Sequence, residues 1–230
     1  MVAAHPDDVD FGVAGSAAVW VGEGHEVAYC LCTSGEAGEA PPEVPRDQVP
    51  ALRQAEQRAA AAVVGVNDVT FLGHADGRLQ PTLDLRRDIS RAIRRFRPDR
   101  VVAQSPVRVW ERVHASHPDH LAAGEATIAA VYPDSRNAYA HPELIEEGFE
   151  PWTVPELYVM GPGTTGGEPV YVDITGAIDK KVKALQAHTS QTAGMADLGE
   201  RMRDWGAMVA ATGGLPEGRL AEAFGRVDTR

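Results

Sequence analysis

The sequence predicts a three-layer αβα sandwich built on a mostly parallel, doubly wound sheet of the Rossmann-like type. Two observations favour this class. Short apolar segments typical of strands alternate with segments of helical periodicity, and this alternation favours parallel strands joined by helical crossovers. The chain also has 230 residues, of which 43% are hydrophobic, enough to cover both faces of one sheet. We therefore expect a single domain over residues 1–230, with a helical C-terminal elaboration from about residue 175 to residue 230.

The first half of the chain contains three strand and helix pairs. Its helices are indicated by strong helix formers with an apolar face, and its strands by short apolar runs. The predicted elements, in order, are a strand at residues 1–4, a helix from about Val9 to Gly24, a strand at residues 25–34, a helix from Ala51 to Val64, a strand at residues 69–73 and a helix from Leu83 to Phe96. Each strand is thus followed by a helix that can cover it.

The second half begins in the same way and then becomes less regular. The compact apolar run at residues 101–105 predicts a fourth strand, and a helix follows a long loop. The remaining predicted elements are a helix at residues 116–132, strands at residues 156–161 and 170–175, a helix at residues 177–192, and a final helix followed by a docking tail.

Composition excludes several kinds of partner. The chain carries 33 acidic and 22 basic residues, a net charge of −11, and no Lys/Arg run suited to a phosphate backbone, which disfavours nucleic acid and anionic membranes as partners. No apolar stretch is long enough for a membrane span, and no signal-peptide pattern is present, so we expect a cytoplasmic protein. Cys30 and Cys32 are the only cysteines. We expect them to point to opposite faces of a strand and to be small buried hydrophobic residues.

The segment "HPDD", residues 5–8, directly follows the first predicted strand. In doubly wound sheets, ligands bind beyond the carboxyl ends of the strands, where the strand order reverses. Asp7 and Asp8 would repel a pyrophosphate at that position, and the chain has no G-x-G-x-x-G motif. A bound cation would instead be stabilised by the two carboxylates.

A second histidine cluster follows the fourth predicted strand. The segment "SHPDH" places His117 and His120 three residues apart at a helix start. If the first and fourth strands flank the reversal point, the two clusters face each other across one crevice. Imidazole and carboxylate ligands suit zinc, and three protein ligands would leave a fourth position for water. The alternative is purely structural, because both segments could cap helices.

Together these motifs resemble the LmbE-like (PIG-L) zinc-dependent N-deacetylases, which carry "AHPDD" after the first strand and "HPDH" after a later one. The similarity extends through "RQAEQRAAAAVVGV", "FLGHADGRL" and "KVKALQAHTSQT". The resemblance implies Zn²⁺, for which other divalent metals could substitute. It also implies a site with these roles: His5, Asp8 and His120 as metal ligands, Asp7 as general base, His117 as acid or oxyanion-stabilising group, and Asp119 as the residue that orients His117.

The resemblance further implies substrate contacts by Arg53, Asp76 and His188. Each position also has a structural interpretation. Arg53 could pair with Glu56 on one helix face, Asp76 precedes a glycine in an ordinary turn pattern, and a helix-face histidine such as His188 is more often structural.

The function implied is removal of an acetyl group from a small-molecule N-acetylglucosamine-type sugar, and relatives of this kind commonly assemble, which favours a homo-oligomer. One alternative is a metal-dependent amidase of a larger N-acyl or thiol-conjugate substrate. Another is a non-catalytic sugar- or metal-binding module, which the presence of Asp7 and His117 disfavours because a binding module needs neither a base nor an acid. We expect His25, His74, His114 and His141 to be surface or loop residues, with His74 and His114 as the strongest exceptions because they lie in predicted site loops.

Overall fold

The computed structural model describes residues 1–161 and 167–230, without the side chains of Arg112, His114 and Ala115. Its strands form two hydrogen-bonded ladders. One ladder has the order β1-β2-β3 and is parallel, and the other has the order β4-β5-β7-β6. The strands are β1 (Val2–Ala3), β2 (Ala28–Thr33), β3 (Asp68–His74), β4 (Arg100–Ala103), β5 (Glu156–Met160), β6 (Glu168–Asp173) and β7 (Ala221–Asp228).

The two ladders meet at β1 and β4, which lie beside each other. The backbone N–H of Ala4 donates to Oε1 of Gln104 at 2.8 Å, which ties the ends of these strands together. The chain runs outward from β1 through β2 to β3 and then returns to the other side of β1. The strand order therefore reverses between β1 and β4, as the sequence predicted, and the loops after these strands open into one crevice.

Helices cover both faces of the sheet. One apolar cluster joins the strands to α1, α2, α6 and α8, and a second joins them to α3 and α4. The helices are α1 (Asp8–Gly22), α2 (Val49–Val64), α3 (Leu83–Phe96), α4 (Pro118–Ala129), α5 (Pro142–Glu146), α6 (Ile178–Ala187), α7 (Thr189–Thr192) and α8 (Leu198–Thr212). The predicted three-layer α/β class is confirmed, with β4 and β5 parallel and β7 antiparallel to both of its neighbours.

Helix bounds follow local sequence signals. The side chain of Thr82 accepts the backbone N–H of Leu85 at the start of α3, and α2 ends at Gly65, whose φ of 87° is the left-handed conformation that glycine adopts without strain. The predicted helix at residues 177–192 is interrupted. His188 has φ −82° and ψ 60° and separates α6 from α7.

The C-terminal segment differs most from the prediction. A strand, β7, forms where we expected a docking tail, and it lies between β5 and β6. Phe224 of this strand is fully buried. The segment "AEAFGRVD" contains one β-branched residue and one glycine, so its strand propensity is weak and pairing on both edges decides its structure.

The orientation expected for the two cysteines is wrong. Residues two apart in a strand share a face, and Cys30 and Cys32 both pack in the apolar cluster beneath α3 and α4. Both are free and buried, as expected for small hydrophobic residues. None of the helices in the described parts of the chain is long and apolar enough to cross a membrane.

Candidate metal centre and active site

Three histidines meet at the crevice between β1 and β4. His5 follows β1, and His117 and His120 flank the first turn of α4. The ring centroids of His5 lie 5.1 Å from His117 and 5.2 Å from His120, and the centroids of His117 and His120 are 5.2 Å apart. One nitrogen from each ring lies within 4.8 Å of the others. The two sequence motifs therefore converge on one point.

Asp8 joins two of these histidines. Its Oδ2 lies 3.2 Å from Nδ1 of His5, and its Oδ1 lies 3.0 Å from Nε2 of His120. Burial would raise the pKa of Asp8, but hydrogen bonds from His120 and His5 hold it well below its usual value. Metal–ligand bonds of about 2.0–2.1 Å would place two donors on one tetrahedral ion about 3.3 Å apart. The separations of 3.2 Å and 3.0 Å between Asp8 and the two histidines are close to that value.

The other nitrogen of His5 faces two further carboxylates. Its Nε2 lies 3.0 Å from Oδ1 of Asp76 and 3.2 Å from Oδ2 of Asp119. Burial lowers the pKa of His5, but the hydrogen bonds to Asp76 and Asp8 outweigh it and raise this pKa to about 10. Because a carboxylate accepts the Nε2 proton, Nδ1 is the atom of His5 that can hold a metal.

The carboxylate of Asp119 is fixed from two sides. It accepts the backbone N–H of Gly77 at 2.7 Å and that of Leu79 at 3.2 Å, besides contacting His5. The expected contact between this carboxylate and His117 is absent among the described contacts. Instead the backbone N–H of Asp119 donates to Nδ1 of His117 at 3.2 Å. Asp119 therefore orients His5, a candidate ligand, through its side chain.

His117 caps α4 through that same hydrogen bond. The capping alternative from the sequence is thus correct for this residue, although it does not account for the rest of the cluster. Because Nδ1 accepts a hydrogen bond from the backbone N–H of Asp119, a neutral His117 carries its ring proton on Nε2.

Asp7 occupies a strained position beside the histidines. Its φ of 85° is left-handed, which is rare for a residue with a side chain, and its carboxylate makes no capping hydrogen bond to the helix, within the described residues. Burial and the neighbouring Asp8 raise the pKa of Asp7, and Arg53 opposes this rise, leaving a value of about 7. A carboxylate with this pKa can exchange a proton near neutral pH.

Arg53 is the partner of Asp7. Its Nη2 donates to Oδ2 of Asp7 at 3.0 Å and to the carbonyl of Pro6 at 2.8 Å, and its Nη1 donates to the carbonyl of Gly35 at 2.9 Å. Gly35 allows this approach, because a Cβ at that position would lie 2.2 Å from Nη1 of Arg53. The guanidinium is therefore locked between the loops after β1 and β2.

These side chains surround a cavity of about 260 Å³. Its lining consists of His5, Asp7, Ala37, Gly38, Arg53, Asp76, Gly77, His117 and His120. A larger cavity of about 730 Å³ lies at the opposite end of the strands, near Met1 and Arg100. None of the candidate metal clusters in the described parts of the chain lines that larger space. The chemistry is therefore concentrated in the smaller cavity.

Comparison with known proteins agrees with this geometry. The family model described as PIG-L, GlcNAc-PI de-N-acetylase, matches residues 1–131, which include both histidine motifs. The chain belongs to the PIG-L family. Diacetylchitobiose deacetylase of Thermococcus kodakarensis is 30% identical over 187 residues, which cover 81% of this chain and 67% of that protein.

Two further PIG-L relatives extend the similarity over more of the chain. A 1D-myo-inositol 2-acetamido-2-deoxy-alpha-D-glucopyranoside deacetylase of Saccharopolyspora erythraea is 31% identical over 234 aligned residues, covering 83% of this chain and 82% of that protein. The structure of N,N'-diacetylchitobiose deacetylase from Pyrococcus horikoshii, bound to an inhibitor, superposes with a TM-score of 0.85 at 26% identity. That superposition covers 99% of this chain and 82% of the other.

Of the substrate-binding residues that the PIG-L resemblance implied, two line the cavity. Arg53 does so while pairing with Asp7, and Glu56 instead accepts hydrogen bonds from Thr189 and Ser190, so the alternative Arg53–Glu56 pair does not form. Asp76 also lines the cavity, contacts His5, and accepts the backbone N–H of Ala37 at 2.8 Å.

His188 does not line the cavity. It is fully buried, and its Nε2 lies 2.8 Å from Oδ2 of Asp10, because the break between α6 and α7 turns the ring toward α1. Its contact with substrate stays a prediction that the lining of this cavity does not support. His74 is also structural, since its Nε2 lies 3.0 Å from Asp88. The side chain of His114 lies outside the described residues.

Sequence reasoning missed two residues that hold the backbone of PIG-L site residues through hydrogen bonds. Gln57 accepts the backbone N–H of Asp7 at 2.8 Å, and Glu36 accepts that of Asp76 at 2.9 Å. Gln57 could have been found, because it lies one helical turn after Arg53 and therefore on the same face of α2. Nothing in the local pattern around Glu36 indicates its partner.

Proposed function

We propose that this PIG-L protein is a zinc-dependent N-deacetylase that removes the acetyl group from an N-acetylglucosamine-type sugar and releases acetate and a free amine. The observation that carries the proposal is the position of Asp7, a partly buried carboxylate with a pKa near 7 in the same cavity as His5, His117 and His120. Relatives named as deacetylases of acetylated amino sugars support the choice of substrate class.

The residues proposed to hold zinc are His5, Asp8 and His120. Two imidazoles and one carboxylate are typical zinc ligands, and three of them leave one position open. Asp119 and Asp76 fix the Nε2 proton of His5, which is the usual supporting contact of a metal-binding histidine. When bound, the metal would polarise the amide carbonyl and lower the pKa of the attacking water.

Asp7 is proposed as the general base. Its carboxylate takes a proton from the water whose oxygen attacks the acetyl carbon, and the same proton then passes to the amine nitrogen as the C–N bond breaks. Arg53 holds this carboxylate in place at 3.0 Å and keeps its pKa from rising further. Burial and Arg53 together leave Asp7 basic enough to accept the proton and acidic enough to return it.

His117 is proposed to stabilise the developing charge. Its Nδ1 is occupied by the backbone N–H of Asp119, so its Nε2 proton can donate a hydrogen bond to the carbonyl oxygen as that oxygen becomes negative. Such fixed donors stabilise a tetrahedral intermediate most effectively where water is excluded. His117 is exposed in this structure, so the bound substrate would have to exclude water from it.

The size of the cavity supports recognition of one sugar ring. Pockets for drug-sized ligands are about 300–1,000 Å³, and this cavity is about 260 Å³. We infer that the acetylated ring enters while the rest of the substrate stays outside. Arg53 and Asp76 are charged lining residues suited to bind the hydroxyl groups of a sugar ring that contacts the loop at residues 35–38.

Acetate release from a panel of substrates tests the proposal. The panel contains an N-acetylglucosaminyl glycoside, N,N'-diacetylchitobiose and an N-acyl-cysteinyl conjugate, each assayed with zinc, after chelation and after zinc is restored. We expect release from the sugars only, abolished by chelation and recovered with zinc. Preferential cleavage of the cysteinyl conjugate would instead identify the larger-substrate amidase. Binding without release on the whole panel would identify a non-catalytic module.

A further inference from the structure

We propose that Gln57, Asp10 and His188 are positioning residues that hold the backbone of Asp7 in its left-handed conformation and so aim the base into the cavity. This inference rests on the proposed function, since it assigns Asp7 the role of base. The three side chains form one buried hydrogen-bonded chain from the α6–α7 junction through α1 to α2.

The conformation of Asp7 needs external support. The left-handed conformation is unfavourable for a residue with a side chain, and Asp7 has no glycine-like freedom at φ 85°. Its backbone carbonyl accepts the N–H of Asp10 and of Phe11, as at any helix start. Its own N–H donates to Oε1 of Gln57 at 2.8 Å. That last bond is the one that fixes the turn from outside α1.

Gln57 can support Asp7 only in one orientation of its amide. The oxygen must face the N–H of Asp7, so the nitrogen must face an acceptor. Nε2 of Gln57 donates to Oδ2 of Asp10 at 2.8 Å, so a carboxylate oxygen is the acceptor on that side. Gln57 is fully buried, so water cannot replace this contact. Asp10 therefore determines which end of the Gln57 amide reaches Asp7.

His188 in turn holds Asp10. Its Nε2 lies 2.8 Å from the same Oδ2, and both side chains are fully buried. Nδ1 of His188 has no hydrogen-bond partner among the described residues. Within those residues, the hydrogen bond of the His188 ring is therefore the one from Nε2 to Asp10. The histidine is more than 60 residues from either metal motif in sequence, yet two hydrogen bonds connect it to the residue that contacts Asp7.

Substitution of Gln57 tests the first step. Gln57→Met keeps the side-chain length and removes both hydrogen bonds. We expect kcat to fall about 10- to 100-fold, the range typical when a supporting contact of an active site is lost, while KM and zinc content stay within about twofold of wild type. Gln54→Met is the matched control, because Gln54 lies on the same helix and bonds only to Ser34 among the described residues. It should leave kcat unchanged.

Substitution of His188 tests the far end of the chain. His188→Leu removes the donor to Asp10, whereas His188→Gln places an amide nitrogen where Nε2 was. We expect a loss of kcat in the first variant and recovery to within about threefold of wild type in the second. His141→Leu is the control for burial alone, since His141 forms an equally buried pair with Asp134, with Nε2 at 3.2 Å. It should lower Tm without lowering kcat.

Failure of this inference is distinguishable from failure of the proposed function. If Asp7→Asn loses activity while Gln57→Met and His188→Leu keep wild-type kcat, the positioning role is wrong and the base stands. If His188→Gln is as slow as His188→Leu, the donor to Asp10 is not what matters. If Asp7→Asn is fully active, the proposed mechanism itself is wrong. A Gln57→Met variant that does not fold leaves the two His188 variants to decide.

Discussion

Nη2 of Arg53 lies 3.0 Å from Oδ2 of Asp7, and both side chains line the cavity that holds three histidines. A buried cation beside a partly buried carboxylate favours the ionised form of that carboxylate. The pair therefore sets the protonation state of the proposed base, because the burial of Asp7 acts in the opposite direction.

Loss of the Arg53 cation should shift the pH range of activity to higher pH. Without Arg53 the pKa of Asp7 rises further above its folded value of about 7, so at pH 7 more of the carboxyl is protonated and cannot accept a proton. We expect Arg53→Met to lower kcat/KM at pH 7 and to move the acidic limb of its pH profile to higher pH. A pH profile measured with zinc bound checks this. An unmoved acidic limb would mean that Arg53 does not control Asp7.

Neighbouring carboxylates should respond differently to the same substitution. Asp7→Asn removes the base while Arg53 can still bond to the amide oxygen, so kcat should fall by about 10²–10⁴ with zinc content unchanged. Asp8→Asn should instead lose zinc, because a neutral amide oxygen is a poorer ligand than a carboxylate. Zinc analysis and acetate release on both variants decide. Zinc loss in the Asp7 variant would contradict the assignment of ligands.

Substitutions of the two histidines of the second motif, His117 and His120, should differ in their effect on zinc binding. Asn is a favourable N-cap residue, so His117→Asn keeps an acceptor for the backbone N–H of Asp119 and loses only the ring proton. We expect zinc to remain and kcat to fall at least about 100-fold, a loss of the size seen when one oxyanion donor is removed. His120→Ala should lose zinc and activity together. Equal zinc loss in both variants would show that His117 is a ligand.

Asp119 should act on the metal through His5. In the structure, Oδ2 of Asp119 lies 3.2 Å from Nε2 of His5. Asp119→Asn replaces this carboxylate with a neutral amide and weakens the hydrogen bond from Nε2. We expect zinc affinity to fall about 10- to 100-fold, as is typical for loss of such a supporting carboxylate. Competition with a chelating dye measures the affinity. Unchanged affinity with reduced kcat would instead favour the role that the family resemblance implied, in which Asp119 orients His117.

A stability measurement can test the placement of the last strand. Phe224 is fully buried between β5 and β6, where its ring centroid lies 5.6 Å from that of Tyr158 and 6.1 Å from that of Trp20. Phe224→Ala should lower the free energy of unfolding by about 3–5 kcal/mol. Chemical denaturation measures this change. A cost below about 1 kcal/mol, typical of surface sites, would mean that the segment is the docking tail predicted from the sequence.

The sequence was most informative where residues adjacent in the chain carry the signal. The two histidine motifs each follow a strand, and the general behaviour of doubly wound sheets then predicts that they meet. Arg53 and Asp76, for which substrate contact stays a prediction, both line the cavity. The histidine motifs, Arg53 and Asp76 all lie on or just after elements that end at the same edge of the sheet.

The sequence was least informative about which side chains contact each other. The carboxylate of Asp119 could reach His5 or His117, and the choice depends on the backbone N–H groups of Gly77 and Leu79, which belong to another loop. His188 lies away from the cavity because the helix breaks at that residue and its ring turns toward Asp10 of α1, a partner distant in sequence. The single domain, the identity of the metal, the cytoplasmic location and the homo-oligomer stay predictions.

The position of β7 constrains the order in which this molecule can assemble. The strand joins β5 to β6, and both of those precede it in the chain. During synthesis the ribosome therefore releases two strands whose facing edges stay open until residues 221–228 emerge. Open strand edges pair readily with other chains. A nascent chain stalled before this point would carry every residue of the candidate active site and still be prone to aggregate, so production of active protein depends on a segment that lies outside the cavity.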